Sequence, residues 1–132
     1  MFRIEGYEHV GIRVSDRAAA TRFYEKLGFR EESDLPEHQA NEMVNEAGVF
    51  INLIFNGVRR PEAGNVLQDE PVKHPGITHA AFVIDDLEGM MAALAREHIA
   101  ITEGPIEIGG RRRVIFIRDP DGNVLEFNEL QG

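Results

Sequence analysis

The chain has 132 residues, 42% hydrophobic and 28% charged, with a formal net charge of −9 and no cysteine. That length and balance describe one ordinary globular domain with room for a core. The charge argues against a nucleic-acid binder, whose affinity needs Lys and Arg on the phosphates, and the missing cysteines exclude disulfides and thiolate chemistry.

The N-terminus MFRIEGYEHV has no apolar run of signal-peptide length, and no stretch reaches membrane-spanning length, so a cytoplasmic protein without a membrane partner is expected. YEHVGIRV alternates, with Val10, Ile12 and Val14 on one face and His9, Gly11 and Arg13 on the other, the pattern of a half-buried strand. Ser15 or Asp16 can cap a following helix, in which Ala20, Phe23, Tyr24 and Leu27 recur at helical spacing. Gly28 then stands where a helix end needs positive φ. FREES, ANEMVNEA and VFINLIF read as three further strands. The first half is therefore β-α-β-β-β over residues 4–56. Residues 57–75, rich in Gly, Pro and charge, read as a linker.

The second half, residues 76–130, follows the same order. ITHAAFVI is a strand, Asp85 or Asp86 a cap, and Leu87, Met91, Leu94 and His98 mark a helix stripe. IAITEG and RRVIFIRD are strands, DPDGN a turn, and VLEFNE the last strand. HVGIRVSD thus returns as HAAFVIDD, and Gly48-Val-Phe-Ile-Asn52 returns as Gly122-Asn-Val-Leu-Glu126. The repeat is the chief signal in the chain.

One such module leaves a sheet face open opposite its helix. Two modules can curl these faces into a shared cup within a single domain, 1–132. Period-2 alternation points His9, Gly11, Arg13, His79, Ala81 and Val83 into it, together with Phe50, Asn52 and Ile54, and Val124, Glu126 and Asn128. Two imidazoles and a carboxylate, His9, His79 and Glu126, are a good divalent-metal set with open positions for water or substrate. Asn52 is the fourth member by pseudo-symmetry.

YEHVGIRVSD, FYEKLGF, GITHAAFVIDD and RDPDGNVLEF, spread over nearly the whole chain, resemble the vicinal oxygen chelate superfamily, which includes glyoxalase I, fosfomycin-resistance proteins, extradiol dioxygenases and bleomycin-binding proteins. The resemblance implies an α+β fold of two pseudo-symmetric βαβββ modules with helices on the outer face, and a homodimer. It places metal ligands at His9, Asn52, His79 and Glu126, holding one ion of Zn, Ni, Mn or Fe. Asn52 departs from glyoxalase I, which has Glu there, and Glu126 matches the residue that acts as its base.

Other features have blander readings. Residues 111–113, RRR, read as a solvated strand edge, with an anion-binding role as the alternative. Arg13 either binds a substrate carboxylate or pairs with an acid such as Glu126. Phe50 and Phe116 line the cup, or are plain core. His38, His74 and His98 are surface residues, and Glu42 or Glu46 is a minor candidate base. The leading functional expectation is a glyoxalase-like lyase or isomerase acting on a small 2-oxo or hemithioacetal substrate. There the ion would stabilise an oxyanion and Glu126 would move a proton beside a carbonyl. An Fe(II) or Mn(II) dioxygenase using the same triad, or a metal-free drug-binding protein suited by the net charge to cationic ligands, are the alternatives.

Overall fold

The computed structural model describes residues 1–62 and 64–131. The chain divides into two compact units, Met1–Arg59 and Arg60–Gly132. The first runs β1 (Val10–Arg13), α1 (Arg17–Lys26), β2 (Arg30–Leu35), β3 (Ala40–Val44) and β4 (Phe50–Ile54), with a single 3-10 turn at Pro36–His38. The second runs β5 (His79–Ile84), α2 (Leu87–Arg96), β6 (Ile101–Ile108), β7 (Arg112–Arg118) and β8 (Val124–Leu130). The sheets have the same topology, β1-β4-β3-β2 and β5-β8-β7-β6. In each, the first strand lies parallel to the last and the other pairs are antiparallel. The architecture is α+β, two mixed four-stranded sheets with one helix each.

The two helices begin alike. Asp16 and Asp86 are extended residues whose carboxylates accept from the backbone N–H three residues on, Ala19 and Gly89, both at 3.0 Å. Ser15 and Asp85 stand one residue too early for that geometry. From α1, Ala20, Phe23 and Tyr24 are buried, and Tyr24 meets Phe23 and Phe29 edge to face at 5.1 and 6.5 Å. The strand residues buried in this unit are Ile12, Ala40, Asn41, Met43, Val44, Ile51 and Leu53, with Val14 buried just past β1. In the second unit Leu87 and Leu94 face inward, and Ile115, Ile117, Leu125 and Phe127 form a buried apolar layer of β7 and β8. Phe82 of β5 stacks on Phe127 at 5.8 Å.

Two expectations shift at element ends. His98 does not extend the helix stripe: α2 ends at Arg96, and His98 is exposed at a φ of 58°, supplying the left-handed residue of the exit turn. Strand β6 continues to Ile108, past the Gly104 where the sequence signal stops, because its pairing with β7 resumes after a register irregularity.

The stretch expected as a linker is more than a tether. From Arg60 onward it belongs to the second unit. Asp69 pairs with Arg118 at 2.8 Å, Asn65 donates from its backbone N–H to Asp69 at 2.6 Å, and its side-chain amide donates to the Gly122 carbonyl at 3.1 Å. Gly122 sits at a φ of 83° within the DPDGN turn, where a side chain would be strained. Asp119 knits that turn by accepting from the backbone N–H groups of Asp121 and Asn123, both at 2.9 Å. The turn sets where β8 starts. Among the described residues, no helix is long and apolar enough to cross a membrane.

Two outcomes follow from this packing. Replacing Ile115, which is fully buried, with Ala removes methylenes from the apolar layer and should cost about 2–5 kcal/mol in urea unfolding. The Arg118 guanidinium and the Asn65 N–H hold the Asp69 carboxyl well below its ordinary value of 3.8. The folded state therefore binds this proton more weakly than the unfolded chain, so the contribution is present above that value and fades as pH falls below it. The protection of the Asn65 amide, measured relative to its intrinsic exchange rate at each pH, should fall as the solution is acidified below this value, and Asp69→Asn should remove that fall.

Candidate functional site

The pleat of the second sheet sorts its side chains. Ala81 and Phe116 flank Glu126 in register, so His79, Ala81 and Val83 share a face with Val124, Glu126 and Asn128 and with Arg112, Val114, Phe116 and Arg118. The other face carries the apolar layer. Glu126 and Asn128 therefore lie on the face opposite that layer, and both are about 4% exposed. Taking a carboxylate out of water is costly unless its oxygens are matched, and here they are. Glu126 Oε1 lies 2.9 Å from His79 Nε2, and Oε2 accepts from Arg112 Nη1 at 2.8 Å. The same Nη1 donates to Asn128 Oδ1 in a close contact. Phe116 sets its ring edge to face with His79 at 5.5 Å, an apolar wall beside the imidazole.

His79 is fixed from its other nitrogen as well. Nδ1 lies 2.8 Å from Thr78 Oγ1. A hydroxyl can both donate and accept, so Thr78 supports either tautomer. It donates to Nδ1 while Nε2–H points at Glu126, or accepts from Nδ1–H and leaves Nε2 as a bare lone pair. The second arrangement is the one a metal ligand requires, with the outer partner holding ring orientation. His79 Nε2 and Glu126 Oε1 already converge on one point, and Arg112 occupies only the other carboxylate oxygen. These donors fit a divalent ion bound by one oxygen and one nitrogen of this unit.

The first unit repeats the arrangement with different chemistry. Gly11, Asn52, Glu42 and Ser33 form one row across β1, β4, β3 and β2. Ser33 donates to Glu42 Oε1 in a close hydrogen bond. Asn52 holds its Oδ1 buried and, among the described residues, without a hydrogen-bond partner, an acceptor that a cation, a water or a ligand donor would satisfy. His9 stands one residue before β1, with Nδ1 2.5 Å from Glu8 Oε1. Arg13 Nε donates to Asn56 Oδ1 at 2.8 Å. Phe50 is half-buried where β4 begins, paired with Val44. Glu46 lies beyond β3 and is exposed, which leaves Glu42 as the acid on that strand.

Within the second unit, then, the structure brings together His79, Glu126 and Phe116, and adds Arg112, whose expected role was a solvated edge. That reading fails because the strand's even-numbered residues share the face of Phe116 and Glu126. The parity of Arg112, Val114 and Phe116 carried the signal, hidden by the neighbouring Arg111 and Arg113. Among the described residues, no three His, Cys, Asp or Glu side chains gather as a ligand set, so the expectation of His9, His79 and Glu126 as ligands rests on the sequence repeat.

The family model of the Glyoxalase/Bleomycin resistance protein/Dioxygenase superfamily matches residues 6–127. A virulence protein of Salmonella typhimurium is 28% identical over 134 residues, spanning 96% of this chain and 85% of its own. Among solved structures, a glyoxalase/dioxygenase from Nostoc punctiforme has a TM-score of 0.76 at 20% identity, covering 97% of this chain and 92% of that one. The fosfomycin resistance protein FosX of Listeria monocytogenes, complexed with Mn(II) and sulfate, has a TM-score of 0.70 at 18% identity, covering 96% and 91%. At these identities the likeness to both structures is one of fold.

The Arg112–Glu126 pair is open to measurement. In a double-mutant cycle of Arg112→Ala and Glu126→Ala followed by urea unfolding, a coupling of roughly 1–3 kcal/mol is expected, because either single change leaves a mostly buried charge unmatched.

Proposed function

The chain belongs to the Glyoxalase/Bleomycin resistance protein/Dioxygenase superfamily, and on that premise we propose that it is a metal-dependent lyase or isomerase of glyoxalase type, acting on a small 2-oxo or hemithioacetal compound. The observation that carries this reading is the convergence of His79 Nε2 and Glu126 Oε1, 2.9 Å apart on neighbouring strands of one sheet face. The sequence repeat makes His9 the counterpart of His79, and the family resemblance supports it as a further ligand. These residues would hold a divalent ion, of Zn, Ni, Mn or Fe, which would supply Lewis-acid polarisation of a substrate oxygen.

The remaining work falls to the chain's own groups. Glu126, as ligand or as a base released from the ion while Arg112 holds its Oε2, takes a proton from the carbon beside the substrate carbonyl and returns it to the neighbouring carbon. Phe116 shields the imidazole side from water. The orphaned Asn52 Oδ1 supports a role for this residue in orienting substrate, or in binding the ion through water, in place of a fourth anionic ligand. The protein acts on a small molecule, as a cytoplasmic homodimer.

A specific observation favours a second reading. Both oxygens of Glu126 are already matched by Arg112 and His79, a network that needs no cation to be satisfied. Under that reading the chain is a metal-free binding protein, and the same side chains hold a ligand without turnover. Metal analysis separates the two. After loading and desalting, the wild type should retain about one ion per chain, as expected for a single site. His79→Ala should weaken binding by at least the 10–100-fold that loss of even an outer-shell partner produces. A wild type that holds no more metal than His79→Ala overturns the enzyme reading.

A further inference from the structure

Arg112 spends little of its bonding capacity. A guanidinium carries five N–H donors. Nη1 serves Glu126 Oε2 at 2.8 Å and Asn128 Oδ1 in a close contact. Among the described residues, Nε and Nη2 of Arg112 make no hydrogen bond or ion pair with the protein. The neighbouring arginines differ. Arg118 commits both Nη1 and Nη2 to Asp69, and Arg113, on the opposite face, reaches Glu88 and Glu129. The Arg112 side chain is 28% exposed while Nη1 is held by Glu126.

We propose that Arg112 is the substrate-anchoring residue of this site, and that the substrate carries an oxyanion, carboxylate or phosphonate, next to its reacting oxygens. The proposal rests on the reading of Glu126 and His79 as the reactive centre, and adds the substrate's charge. Two physical arguments carry it. The free Nε and Nη2 form the edge of the guanidinium fork that accepts an oxyanion through two parallel bonds. Glu126 holds the other edge, so the bound anion lies within one side chain of the carboxylate that moves the proton. Charge balance points the same way. Arg112 and Glu126 neutralise one another, so a divalent ion bound at Glu126 would leave the face positive, and an anionic substrate offsets that charge. With a net charge of −9 on the chain, such an anion needs a local cation of this kind to bind at all.

The test is calorimetric titration of the full chain, with and without Mn(II), using pyruvate, methylphosphonate and the neutral pyruvamide as probes. The wild type should bind pyruvate or methylphosphonate and not pyruvamide, and whichever anion binds tighter identifies the source of the charge. Arg112→Gln should weaken anion binding on the order of tenfold or more, the scale of a lost charge-assisted pair. Arg112→Lys keeps the charge without the fork, so it should retain weak binding with no preference for the planar carboxylate. This second variant decides the matter if circular dichroism shows that Arg112→Gln does not fold. Equal binding of anion and amide by the wild type, or undiminished anion binding in the folded Arg112 variants, overturns the proposal. Failure of Mn(II) to bind while anions still depend on Arg112 would instead overturn the metal-enzyme reading alone.

Discussion

A carboxylate nearly out of contact with water, on the face of a sheet opposite its apolar layer, must be matched atom for atom or it destabilises the fold. Glu126 meets that requirement with a guanidinium on one oxygen and an imidazole on the other. The match is possible because three strands bring their side chains to one face in a fixed register: Ala81 and Phe116 beside Glu126, with Arg112 further along β7. A slip of one residue in β8 would exchange Glu126 for Leu125 and put an aliphatic side chain where the network now closes. The tight turn before β8 guards against that slip, with Asp119 accepting from two backbone amides and Gly122 taking the left-handed conformation.

The duplicated module explains why the two halves look alike and act differently. Each half has the same strand order and the same aspartate cap, and each places a polar residue at the same point of its last strand, Asn52 or Glu126. In the second half that residue is charged and fully partnered. In the first it is neutral with an orphaned oxygen, and the acid has moved one strand over, to Glu42 held by Ser33. The repeat thus preserves the architecture while its polar groups are free to diverge, which is how one fold can serve catalysis in some relatives and ligand capture in others.

Much of this was legible beforehand in residue periodicity. Alternation in HVGIRV and HAAFVI located β1 and β5, the aspartates located the helix starts, and the Gly-rich DPDGN located the last turn. The same alternation placed Glu126, Asn128 and His79 on one face. It equally placed Arg112 there, but three consecutive arginines disguised the parity, and a run of charge reads as a solvated edge. The exit of α2 through His98 and the length of β6 were invisible for another reason. Both depend on what the backbone pairs with next, and local composition carries no record of that.

The sequence by itself determined the β-α-β-β-β repeat, the strand faces and the residue types able to hold a cation, because these follow from periods of two and 3.6 written directly into the chain. Only the tertiary structure decided who partners whom. It joined Arg112 to Glu126 across β7 and β8, set Arg13 Nε on the Asn56 amide oxygen, and folded the segment after Arg60 onto the last turn through Asp69 and Asn65. Such pairings are set by strand register and by loops returning from a distance, so they exist only once the chain has folded.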